Sequence, residues 1–489
     1  MRTHANKKRP IRIDEPIIGS KDVNHEVLLS GTGITPGQQL FINALNEVVN
    51  GNLSSQLDGK FEVVSYPAGF NYGVTLTNNG YYNPATLQDI DTLLGISSNG
   101  MLELTASGFS GTYATLLQDV TFYFSQADQQ TINSANITAS EEIALVLAEF
   151  TDAGGIFSNP LPFGGELQDV FNQLTALFKS LENLPDSLIG LSNAIAFYKN
   201  VAASSYALRN KLIAATSYLA SALANLTAPS AVNGGMQTGA SSFYPGFTPD
   251  RYPTTNQLLG GLNSPNSIEV DIALSNFNAP QSNISVNGSG GLDMLISDIL
   301  TLSINGSAAY DLSKYTSSAS TINMKVIYQG VTVFSAFPSI LSIDGTQGWY
   351  ANDILQEVVD ITGHDATGYA LVGGEYNVGD YFGEGKIFSR LKTFVISQQP
   401  TIQMTFTGAN ASQIIADFQV NASADISLLG LFSVGSANMS YYVKIIDDKS
   451  VSGSVIVTFG PSDPSGTIPI AQQKAFVLGG VASYPPNNM

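Results

Sequence analysis

The sequence predicts an α+β fold dominated by β structure. Its C-terminal region reads as antiparallel sheets or a β-sandwich, and its centre as an amphipathic helical bundle. Three observations lead there. Apolar and polar residues alternate with period two over much of the last 225 or so residues, which gives a strand one buried and one wet face. Apolar residues between positions 166 and 226 instead recur at three- and four-residue spacing, the signature of one helical face. Turn-forming Gly, Pro, Asn and Ser separate these segments.

Residues 1–30 read as an irregular basic arm. Residues 31–135 read as mainly β, with a short helix over Ile42 to Val49. The strands are expected at Phe61 to Val64, Val74 to Thr77, Met101 to Thr105 and Val120 to Phe124, with a turn at Asn78-Asn79-Gly80. Residues 136–228 read as helical. Thr138-Ala139-Ser140-Glu141 has the spacing of a capping box ahead of an apolar run. Leu167, Val170, Phe171, Leu174, Leu177, Phe178 and Leu181 recur at three- and four-residue spacing, which places them on one helical face. Pro185 breaks the pattern, and Leu188, Leu191, Ile195 and Tyr198 resume it. Leu208, Leu212, Leu219, Leu223 and Leu226 mark a third helix.

Residues 229–265, rich in Gly, Pro and Ser, read as a linker or a long loop. Residues 266–489 form the β-rich C-terminal region. Strands are expected at Ile268 to Leu274, Ile322 to Tyr328, Val331 to Phe334 and Ile402 to Phe406. Tyr441 to Ile446 and Val451 to Phe459 form a hairpin around Asp447 to Ser450, and Asn352 to Ile361 is a helix within this region.

Composition narrows the function. The chain has 489 residues, 44% hydrophobic and 10% aromatic, which is ample for a sizeable core. Only 12% are charged, against the usual share of roughly 25%. A surface built from Ser, Thr, Asn, Gln and Gly can be buried between subunits without desolvating charges. The net charge of −19 repels phosphate backbones, so the body is not expected to bind nucleic acid. Arg2, Lys7, Lys8, Arg9 and Arg12 place five of the 20 basic residues in the first twelve positions, an arm suited to nucleic acid or another acidic partner. With no cysteine, disulfides, thiolate metal sites and cysteine nucleophiles are excluded. Neither a secretory signal nor a transmembrane helix is expected, and a place outside the cell or on a particle surface fits the composition.

Chemistry-bearing motifs are sparse. The three histidines are His4, His25 and His364. His364-Asp365 has no G-x-S-x-G elbow to join, so a surface-loop role is expected. Gly383-Glu384-Gly385-Lys386 lacks the remainder of a phosphate loop, since Asp380 stands where Gly is needed and Ile387 where Ser or Thr is needed. Glu375, Asp380 and Glu384 lie on a Gly-rich stretch and could supply oxygen ligands to calcium. Trp349, the single tryptophan, is a candidate partner or sugar contact if exposed and a core residue if buried. The Asn-x-Ser/Thr sequons, Asn136 and Asn225 among them, match what this composition gives by chance.

The expected function is therefore a non-enzymatic, self-assembling structural or surface protein, capsid-like or surface-layer-like, forming homo-oligomers. One alternative is a pore-forming or cell-surface-binding protein acting at a membrane surface through the helical region. A second is a carbohydrate-active hydrolase with paired carboxylates.

Overall fold

The structure is a computed structural model. It describes residues 36–65, 68–72, 80–96, 101–247, 254–275, 282–286, 289–294, 300–304, 307–308, 321–372, 377–407, 425–428, 432–434, 441–448, 454–461 and 474–487. The basic arm, the strand expected at Val74 to Thr77, most of the following turn, and Glu375 lie outside the described residues.

The first third mixes short strands with helices. It runs α1 (Pro36–Leu53), β1 (Phe61–Val63), β2 (Gly69–Asn71), α2 (Pro84–Ile90), β3 (Thr92–Ile96), β4 (Leu102–Gly108), α3 (Phe109–Gln118) and β5 (Val120–Tyr123). The helix expected over Ile42 to Val49 extends by a turn or more at each end, and Phe41, Leu45 and Val49 lie on its buried face. In α2, Pro84 occupies the first turn and the Asn83 side chain accepts from Ala85 N at 2.9 Å, a capped start. Helix α3 was not foreseen, although Phe109, Tyr113, Leu116 and Leu117 fall on one face of it. With these helices present, the β-dominated expectation gives way to an α+β chain in which helix and strand both contribute heavily.

The helical region contains α4 (Gln126–Thr138), α5 (Ser140–Asp152), α6 (Gly165–Phe178), a 3-10 turn (Asp186–Leu188), α7 (Ile189–Val201) and α8 (Ala203–Thr227). The expected capping box fails. Thr138 belongs to the last turn of α4 and its hydroxyl donates to Ser134 O at 3.0 Å, while Ala139 precedes α5 with no side-chain cap. The described part of the stretch read as a linker or long loop contains secondary structure. It holds β6 (Met236–Gln237), β7 (Phe243–Tyr244) and α9 (Thr255–Leu262), and Thr254 and Gln257 form a true capping box for α9.

The rest contains β8 (Ser267–Ser275), β9 (Ser282–Val286), β10 (Ser289–Met294), β11 (Leu300–Ile304), β12 (Ser307–Ala308), β13 (Thr321–Gln329) and β14 (Thr332–Ser335). Then come α10 (Asn352–Ile361), β15 (Gly368–Leu371), α11 (Val378–Tyr381), β16 (Arg390–Ser397) and β17 (Thr401–Thr407). The last strands are β18 (Asp425–Leu428), β19 (Phe432–Val434), β20 (Tyr441–Asp448), β21 (Ser454–Pro461) and β22 (Lys474–Ser483).

These strands form antiparallel sheets. A seven-stranded sheet runs β10-β9-β8-β13-β17-β21-β20, with β20 and β21 paired as the hairpin expectation requires. A second seven-stranded sheet runs β1-β22-β16-β3-β4, with β14 added on β16 and β2 on β22. Smaller sheets are β12-β11-β18-β19, β15-β5 and β6-β7.

The first large sheet shows the alternation seen in the sequence. Ile268, Val270, Ile322, Met324, Ile402 and Met404 turn inwards, while Glu269, Asp271 and Lys325 face solvent and pair across the strands. Its inner face rests on Phe41, Leu45 and Val49 of α1 and on Phe61, Val63, Val395 and Leu478 of the second sheet. A helix thus takes part of the place that a second sheet fills in a plain sandwich. The centre of the second sheet is covered on both faces, since every residue of β16 is buried. Its far face packs Phe70, Phe334 and Phe394 against Met236, Phe247 and Leu258.

The chain passes from one large sheet to the other at Gly330. Its φ of +64° suits glycine, and a Cβ there would overlap the Leu262 carbonyl. Strand β14, Thr332–Ser335, consequently pairs with β16 rather than folding back on β13.

Candidate binding surface

Among the described residues, those singled out in the sequence do not converge. Trp349 is 2% exposed, and its Nε1 donates to Gly246 O at 2.7 Å within a cluster of Phe109, Tyr113, Phe247 and Tyr350. It is a core residue, because an indole buries a large apolar area once its N–H has an acceptor. Asp380, in α11, and Glu384, after the turn at Gly383, are both exposed. No cluster of three acidic or histidine side chains suited to a metal occurs among the described residues. His364 is exposed, and Asp365 accepts from Gln126 N at 2.6 Å, so this carboxylate caps the start of α4. Two sequon asparagines are used internally. Asn225 Nδ2 donates to Gly345 O and Gly348 O at 3.1 and 2.7 Å, and Asn136 Oδ1 accepts from Arg209.

Two buried polar clusters escaped the sequence reading. In the first, Asp91 closes α2 and its carboxylate accepts from Ser110 N at 2.9 Å, Ser110 Oγ at 2.5 Å and Tyr244 Oη at 2.9 Å. Burial pushes the Asp91 carboxyl up to about 6, against the opposite pull of those hydrogen bonds and of Arg390. Arg390, at the start of β16, is buried too, and burial lowers it to about 10. Its Nη2 donates to Ala336 O at 2.5 Å, its Nε has no partner, and its guanidinium lies 5.8 Å from the Phe109 ring centre and 6.0 Å from that of Phe247. Asp91, Ser110, Tyr244 and Arg390 join α2, α3, β7 and β16. Their enclosure suits holding those elements in register, since a fully buried carboxyl offers a solute no approach.

The second cluster organises the helices. Arg209 of α8 is 2% exposed and donates to Gly164 O (2.9 Å), Gln168 Oε1 (3.4 Å), Asn136 Oδ1 (3.2 Å) and Tyr198 Oη (3.3 Å). One guanidinium therefore ties α4, α6, α7 and α8 together through neutral acceptors. Leu167, Val170, Phe171, Leu191, Ile195 and Tyr198 fill the space around it. Along α8, Tyr206 and Ile213 face this helical lobe, whereas Leu212, Ala215, Ala222 and Leu226 face the aromatic core with Trp349. Helix α8 is thus the beam joining lobe to body.

The lobe's outer surface is unusually apolar. Nine of the fourteen exposed large hydrophobic side chains among the described residues lie between Ile137 and Val201. Helix α7 shows this best. Leu191, Ala194, Ile195 and Tyr198 face the core, yet Ile189 (60%), Phe197 (54%) and Val201 are exposed. Ile189, Phe197 and Val201 fall on the row that repeats every fourth residue, so they line up along one side of the helix. Between α6 and α8 an open groove of about 720 Å³ has Leu181, Tyr206 and Ile213 among its lining, with Thr175, Asn210 and Ser217. Its two carboxylates are engaged locally. Glu182 pairs with Lys199 at 2.5 Å, and Asp344 accepts from Ser342 Oγ at 2.5 Å and Thr346 Oγ1 at 2.8 Å.

No family model, curated protein or solved structure matches the chain. The surface must therefore be read from its own chemistry.

Proposed function

We propose that the chain is a non-enzymatic structural or surface subunit that assembles with copies of itself, and that the helical lobe is its contact face. The observation that carries this reading is α7, a helix whose apolar residues extend past the face covered by the core and leave Ile189, Phe197 and Val201 exposed. Exposed apolar rows of this kind mark interaction sites, because covering them releases ordered water. The low charge density supports the same reading, since a contact surface poor in charges is cheap to desolvate. Under this reading the two seven-stranded sheets act as a sandwich-like body that carries the lobe. The groove carboxylates, both engaged in local bonds, favour a binding rather than a hydrolytic role.

Negative-stain electron microscopy of the purified full chain tests this. Shells, rings, sheets or filaments support it, and scattered particles of single-chain size at high concentration overturn it.

A second reading, binding to a membrane surface, draws on the same exposed α7 row. No described helix is long and apolar enough to cross a membrane, so this reading requires the row to lie flat on the lipid. Co-sedimentation of the chain with liposomes separates the two readings.

A further inference from the structure

Charge identifies what the α7 face would receive, provided the lobe is a contact surface as read above. Residues 126–201 hold nine acidic residues and two basic ones. Two of the acids border the exposed row. The Glu149 carboxylate of α5 lies against the backbone of Gly190, beside Ile189, and Asp186 is exposed in the 3-10 turn just ahead. A second lobe placed face to face would set like charges against each other, which disfavours that pairing. An anionic membrane meets the same repulsion. The surface instead suits a segment that mixes basic and apolar side chains.

This chain carries such a segment. Lys7, Lys8, Arg9, Ile11, Arg12 and Ile13 follow one another closely at the start of a chain whose net charge is −19. We propose that residues 2–13 of one copy bind the exposed face of α7 on a neighbouring copy. The isoleucines cover Ile189, Phe197 and Val201, and the basic groups meet Glu149 and Asp186. Such a contact is heterologous, so it propagates into a ring or a filament rather than stopping at a two-fold dimer.

A charge-swap experiment on full-length chains tests this by sedimentation velocity. One variant reverses the basic segment (K7E, K8E and R9E together), and another reverses the face (E149K with D186K). Each alone is expected to raise the concentration of half-assembly about tenfold, as the loss of a few partly exposed ion pairs would. A 1:1 mixture is expected to recover most of the wild-type behaviour, because the reversed segment of one chain then meets the reversed face of the other. An excess of a synthetic peptide of residues 1–18 is expected to dissolve wild-type assemblies, whereas a scrambled peptide leaves them intact. The peptide arm needs no variant to fold.

If wild type assembles and both variants assemble equally well, the inference is overturned while the lobe reading stands. If the mixture does not recover although both variants keep the wild-type circular dichroism spectrum, docking between copies is overturned. If wild type never assembles, the lobe reading fails and this inference falls with it.

Discussion

The buried Asp91 makes the stability of this protein depend on pH in a direction opposite to that of most acidic residues. A typical carboxylate with a charged partner has a lowered pKa in the folded state and stabilises the fold at neutral pH. Asp91 is raised, from its ordinary 3.8 to about 6, because burial outweighs the hydrogen bonds from Ser110 and Tyr244. The folded state therefore binds this proton more tightly than the unfolded chain does. Its contribution to stability is fully present below pH 3.8 and is lost as pH rises through about 6. The two values differ by a factor of roughly a hundred in proton affinity, which corresponds to about 3 kcal/mol. The perturbation is Asp91→Asn, which keeps the shape and removes the titration. The assay is urea unfolding of both proteins from pH 4 to pH 8. The gap in stability between variant and wild type should shift in favour of the variant by about 2–3 kcal/mol between pH 4 and pH 7, and stay flat above. Parallel stability curves across that range would refute the reasoning.

Other perturbations follow from packing and backbone geometry. Gly330→Ala should lose more than about 2 kcal/mol in urea unfolding, because the new Cβ meets the Leu262 carbonyl; Gly363→Ala, at φ +84° but in open space, should lose only about 1 kcal/mol. Met404→Ala, which empties a fully buried site in the first large sheet, should cost about 2–5 kcal/mol, whereas Thr405→Ala on the outer face should stay within about 0.5 kcal/mol. Arg209→Leu leaves the acceptors on α4, α6 and α7 without their donor, so hydrogen exchange should rise in residues 126–201 and stay unchanged in β8, β13 and β17.

What was legible in the sequence was what has one wet face. Strands β8, β13 and β17 alternate because solvent holds their outer residues polar, and their assignments agree with the structure. Strand β16, Arg390-Leu-Lys-Thr-Phe-Val-Ile-Ser397, is buried on both sides and shows no alternation, so nothing local marked it as the centre of a sheet. Two charged residues in it argued against burial. Arg390 finds Ala336 O and two aromatic faces, and Lys392 reaches Asp58 at 3.6 Å, all from distant parts of the chain. The helical lobe was visible through its core-facing periodicity. Its outward row was not, because Ile189, Phe197 and Val201 look like further core residues until the helix is placed. Asp91 was one acid among 39 Asp+Glu, and its only local signal was the apolar run Ile90-Asp-Thr-Leu-Leu94 around it.

The central claim is that the exposed row of α7 is where copies of this protein meet. Sedimentation velocity of Phe197→Asp beside wild type tests it most directly, with Val232→Asp, an even more exposed apolar position outside the lobe, as the control. The account predicts that Phe197→Asp abolishes assembly at an unchanged Tm while Val232→Asp assembles like wild type. Equal assembly by both variants would contradict it.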